Sequence, residues 1–176
     1  MTLTGLVLAS MWWKKKISQG EMAEALWQIC CDSAEDFCTK LRPQLEAEGF
    51  LSTTAEHHRF NLEAMQLHLW IITLVFGADG PILDLLHKTF INWDMTLQQG
   101  RASATVKQRF ALYDQAFAQD EKLPFPRKLA EAALQCLLDR RNPIKSFTIL
   151  SDVHYRLLSI LQAVQKCRGR FNITTA

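Results

Sequence analysis

The sequence predicts an all-α protein: one domain, a bundle of about seven helices packed around a central apolar helix at about 59–76. Three observations predict it. The stretch Arg59 to Phe76, RFNLEAMQLHLWIITLVF, is apolar nearly all round, and a helix of that kind must be buried in a core or against a partner. Glycine (7) and proline (5) are scarce, which suits long helices with short joints. No alternating β-branched run lies between turn pairs, so strand signals are nearly absent and no sheet is expected.

The elements follow in order. Leu3 to Trp13 is apolar and is followed by Lys14, Lys15 and Lys16. The run is too short for a membrane-spanning helix, which needs about 20 apolar residues. A secretory signal would carry its positive charge before the apolar run rather than after it. Residues 1–16 therefore form a separate N-terminal segment, either a helix docked on the domain or an interfacial segment. In the second case Trp12 and Trp13 sit at lipid headgroups, with Lys14, Lys15 and Lys16 on anionic lipid. The helical domain spans 17–171. Gly20 precedes a helix with Met22, Ala25, Leu26 and Ile29 on one side. Ser33 and Asp36 have the form of an N-terminal capping box, which predicts a new helix carrying Phe37, Leu41 and Leu45 and ending near Gly49. Pro43 should kink or split it.

Thr53 or Thr54 caps the central helix, with Glu56 in its first turn, and Gly77 closes it. Gly80-Pro81 opens a helix with Ile82, Leu85, Leu86, Phe90, Trp93 and Leu97 on one face, ending at Gly100. Ser103 starts the next, with Val106, Phe110, Tyr113 and Phe117 at helical spacing. Pro124-Phe125-Pro126 is a rigid joint before a short helix over 127–139, and Asn142-Pro143 breaks it. The last helix carries Phe147, Leu150, Val153, Leu157, Leu158, Leu161 and Val164 and stops at Gly169, leaving 172–176 as a frayed tail.

Composition excludes several function classes. A net charge of +2 and a pI of about 8.3 are too mild for a nucleic-acid surface. Five cysteines (Cys30, Cys31, Cys38, Cys136, Cys167) without a CxxC read as small buried hydrophobes in a reducing intracellular compartment, cytoplasmic or peripheral on an inner membrane. No two histidines stand at the i, i+4 spacing of a helical zinc pair, so no metal is expected. Asp84 and His87 form a DxxH without the partner that di-iron chemistry needs. Phosphate-cradling glycine motifs are absent, so neither a cofactor nor a catalytic residue is predicted.

His68 is the most informative single residue, because a buried imidazole must hydrogen-bond or lose heavily by desolvation. It is either a core histidine tied to a backbone carbonyl or to Asp94 or Asp114, or a polar anchor in a groove that receives a partner. The aromatic surplus admits the same two readings: core packing, or an apolar patch left open for a hydrophobic segment. On the second reading the client-binding residues are His68, Trp70, Phe90, Trp93, Tyr113 and Phe117.

The order of short motifs carries a family resemblance. Arg59-Phe60 and Leu67-His68-Leu69 share the central helix. FINWDMTLQQG, ALYDQAF, LAEAALQCLL and Arg141-Asn142 follow. From about Ala25 to Asn142 this resembles the ubiquinol–cytochrome c chaperone family, helical assembly factors of the cytochrome bc1 complex. The resemblance implies no catalytic residues. It implies binding of a newly made hydrophobic membrane subunit, cytochrome b, together with partner assembly factors. The expected function is thus a non-enzymatic assembly factor or chaperone for a hydrophobic client. The alternative is a helical adaptor or regulator acting through protein–protein contact or homo-oligomerisation.

Overall fold

The structure, a computed structural model, describes residues 16–77, 80–120, 127–140, 146–170 and 172–174. Of Lys16 and 172–174 only the backbone is described. The elements are β1 (Lys16–Ser18), α1 (Gln19–Ala47), α2 (Thr54–Phe76), α3 (Gly80–Leu97), α4 (Val106–Asp120), α5 (Lys128–Leu137), α6 (Phe147–Arg168) and β2 (Asn172–Thr174). The all-α class holds, with six helices among the described residues rather than about seven.

The difference in count has a local cause. Ser33 does not start a helix. Its hydroxyl donates to the carbonyls of Ile29 (2.6 Å) and Cys30 (3.3 Å), so it bonds back into a helix already under way. Pro43 also fails to split α1, which continues to Ala47 and keeps Leu41 and Leu45 buried on either side of it. The true start is Ser18, whose hydroxyl accepts from the Glu21 amide while the Glu21 carboxylate accepts from the Ser18 amide. Met22, Leu26, Cys30, Phe37, Leu41 and Leu45 then recur at intervals of four and seven as one buried stripe. Gly49 ends the helix as expected. At φ 71° it lets the Phe50 amide reach the Leu45 carbonyl (2.7 Å) and its own amide reach that of Glu46 (3.0 Å).

α2 is the axis of the bundle and touches every other α-helix. Thr53 caps it. The Glu56 carboxylate accepts from the amides of Ser52 and Thr53 (2.9 Å each), and these bonds hold its pKa down to about 2. Burial is unbroken from Glu63 to Ile72, so no side of that stretch is left to solvent. At its far end the Arg168 guanidinium donates to the Val75 carbonyl (2.6 Å), supplying the partner that a helix C-terminus lacks.

α3 packs chiefly on α1, with the Trp27 ring 5.8 Å from Trp93 and 6.4 Å from Phe90. Its buried face is narrower than expected, since Leu85 and Leu97 face solvent. Phe147, read as part of the core face of the last helix, is 81% exposed; that face is formed by Ile149, Val153, Leu157 and Val164. The absence of a sheet is corrected in one small respect. Asn172–Thr174, expected in the frayed tail, pair in parallel with Lys16–Ser18, in the register Ile17 to Ile173. Two three-residue strands at opposite ends of the chain leave no periodic signal in the sequence.

Candidate functional site

The six residues expected to meet a client do not share one open groove. His68, Trp70, Phe90 and Tyr113 are closed over by the chain's own neighbours, while Trp93 and Phe117 are half-buried. His68 takes the core arrangement. Its Nδ1 lies 2.7 Å from the Ala64 carbonyl, one turn back, and donates to it. Its ring meets Phe37 edge-on at 5.3 Å. Nε2 is buried without a partner, and burial pulls the pKa down to about 4, so the ring is neutral at pH 7. Neither Asp94 nor Asp114 is its partner.

Those two carboxylates serve elsewhere. Asp94 is buried at the end of α3 and accepts from the amides of Ala102 (3.1 Å) and Ser103 (2.6 Å), fixing the α3–α4 connection. Asp114 accepts from Trp70 Nε1 (2.8 Å) and so sets the indole's orientation. Asp120 accepts from the amides of Arg127 (2.7 Å), Lys128 (2.6 Å) and Leu129 (2.8 Å), capping α5 from the end of the preceding helix. Glu63, in the middle of α2, is held by Arg109 through three bonds of 2.7–3.1 Å. These bonds raise the Arg109 pKa above its ordinary value. Tyr113 beside this pair is fully buried, and desolvation drives its pKa well up. Each acid is thus consumed by a structural partner.

Two of the expected residues do come together at a surface feature. Trp70 and Phe117, 6.0 Å apart edge to face, line a mostly apolar crevice between α2, α4 and α6 with Leu74, Leu158 and Leu161; Leu129 at the start of α5 closes it, and Asp120 and His154 are its polar members. Its volume is about 50 Å³. Small-molecule sites run to about 300 Å³ or more, and a cavity of about 150 Å³ takes one benzene ring, so this one is sized for no more than a small aliphatic side chain. Leu74 and Leu158 are each 37% exposed, so the apolar lining reaches the surface. Leu74 and Leu158 carry no special signal in the sequence, because both fit ordinary core spacing. Which turns of a helix its neighbours leave uncovered is not encoded in a linear pattern.

Of the lipid-contact residues, Trp12, Trp13, Lys14 and Lys15 lie outside the described residues, and of Lys16 only the β1 backbone is described. Among the described residues, no helix is long and apolar enough to cross a membrane. No group of three or more His, Cys, Asp or Glu side chains among them converges on a common point. No family model, curated protein or solved structure matches the chain.

Proposed function

We propose that the protein is a non-enzymatic binding protein, an assembly factor or chaperone that captures an apolar segment of another polypeptide. The observation that carries this is the crevice between α2, α4 and α6. It is mostly apolar, open through Leu74 and Leu158, and too small for a metabolite but large enough for one small anchoring side chain. The buried acids Glu63, Asp94 and Asp120 are each held by structural donors, which agrees with a binding role. The resemblance to the ubiquinol–cytochrome c chaperone family makes the proposal finer: the client is a membrane-spanning segment of cytochrome b, and the process is bc1 biogenesis.

The test is fluorescence anisotropy with a labelled peptide from a membrane-spanning segment of cytochrome b in mild detergent. Wild-type protein binds it saturably. Leu158→Asp places an unpaired charge in the crevice and weakens binding at least about tenfold, the usual cost of desolvating a charge against an apolar anchor, with Tm unchanged. Equal binding by both proteins rejects the crevice. Equal binding of a polar peptide rejects the client class.

A second reading has its own observation. Ile91 and Met95, one turn apart on the same face of α3, are exposed by 47% and 61%. This surface suits an adaptor or homo-oligomer that pairs through α3. Light scattering separates the two: a dimer abolished by Met95→Lys with peptide binding retained favours α3 as the partner surface.

A further inference from the structure

A second cleft lies away from the crevice, between the N-terminal half of α2 and the α3–α4 connection. Ala55, His58, Arg59, Leu62, Glu63 and Gln66 line it from one face of α2, at the spacing of successive helical turns. Arg101, Ala102 and Thr105 line the other side. Its volume is about 310 Å³, at the lower end for a small-molecule site and room for about ten waters at about 30 Å³ each.

Three features of its walls select a ligand. The far wall is fixed: Asp94 holds the amides of Ala102 and Ser103, and the Thr105 hydroxyl bonds the Gln66 amide group at 3.2–3.3 Å. A rigid wall loses little freedom when a ligand enters. The charges do not cancel. Glu63 is neutralised by its three bonds to Arg109, and Arg59 is shared with Asp139, whose carboxylate lies 3.4 Å from Nη1. Arg101 has no carboxylate partner among the described residues, so one positive charge is left over. The aliphatic part of the lining comes from both sides, Ala55 and Leu62 of α2 and Ala102 opposite.

We propose that this cleft binds a small organic monoanion, a carboxylate on a short apolar body, with Arg101 and Arg59 holding the carboxylate and the aliphatic lining taking the body. A guanidinium offers paired donors that match the two carboxylate oxygens. One uncompensated charge matches a monoanion better than a phosphate dianion. The site shares no residue with the apolar crevice, so it stands whether or not that crevice receives a client.

The probe is sodium hexanoate, followed by amide chemical shifts in ¹H–¹⁵N spectra of the full chain. Hexanol is the neutral control and inorganic phosphate the control for charge alone. Hexanoate shifts the amides of Arg59, Leu62, Gln66 and Thr105 saturably, and both controls bind more weakly. Arg101→Gln weakens hexanoate about tenfold or more, as loss of a charge-assisted pair should, and Arg101→Lys falls between. Arg101 is exposed, so neither change threatens folding. Ala55→Trp fills the cleft from the exposed side of α2 and blocks hexanoate without removing a charge. Equal binding of hexanoate and hexanol overturns the proposal, as does tighter binding of phosphate, unchanged affinity in Arg101→Gln, or shifts confined to other parts of the chain.

Discussion

Acidification tests the burial of His68. The imidazole is fully buried, neutral, and bonded only through Nδ1, so the folded state resists its protonation. Its pKa falls from the ordinary 6.5 to about 4, chiefly through desolvation. The unfolded chain therefore binds a proton between pH 6.5 and 4 that the folded protein refuses. Stability is complete above the unfolded value and is lost as pH falls towards the folded one. With those two values the linkage relation gives a loss of about 2 kcal/mol between pH 7 and pH 5, approaching about 3 kcal/mol below pH 4. His87 is lowered in the same direction by partial burial and adds a smaller slope. Glu56 is lowered from 4.5 to about 2, so its contribution is present above the unfolded value and is lost as pH falls from about 4.5 towards 2, beyond the acid edge of this window. Urea unfolding followed by circular dichroism at pH 7, 6 and 5 measures the slope. His68→Leu should remove most of it. Leucine leaves no donor orphaned, and the Ala64 carbonyl keeps its helical bond, so the variant should be as stable as wild type at pH 7 to within about 1 kcal/mol. A slope that survives intact in His68→Leu refutes the reasoning, as does a wild type indifferent to pH across this window.

Three further outcomes are expected. Glu63→Gln breaks the pair with Arg109 and leaves a guanidinium whose side chain is 21% exposed; since that exposure tempers the cost, it should destabilise by about 2–3 kcal/mol in urea unfolding. Asp120→Ala removes the acceptor for three backbone amides at the start of α5, one of them on buried Leu129, and should cost about 2–3 kcal/mol, with lost exchange protection over 127–131 as its local signature. Thiol titration of the native protein near pH 8 should report at most Cys31 and Cys167, and slowly, since desolvation raises both; Cys30, Cys38 and Cys136 should react only in urea, Cys38 being pushed up to about 12 by burial.

The helices were legible because their stripes and stops are local. The Thr53–Glu56 box, the glycine after α1 and the 59–76 apolar run each act within a few residues. Ser33 misled because serine followed by an acid three residues on has the form of a box, while the same hydroxyl can bond back to the preceding turn. The pairs that organise the interior were not legible. Glu63 and Arg109 are 46 residues apart, and Trp70 and Asp114 are 44 apart. Burial of His68 was readable from its neighbours Leu67 and Leu69, but its acceptor could equally have been an aspartate. The aromatic residues admitted two readings from the sequence, core packing or an open groove. Tertiary packing put most of them in the core and left the opening to Leu74 and Leu158, whose exposure their helical spacing did not signal.

Hydrogen–deuterium exchange with and without the cytochrome b peptide tests the central proposal most directly. If the peptide anchors between α2, α4 and α6, protection should rise in the segments around Leu74, Phe117 and 154–161 and stay unchanged along α3. Protection confined to α3, or loss of protection over the Glu63–Ile72 stretch of α2 as the bundle opens, would contradict it.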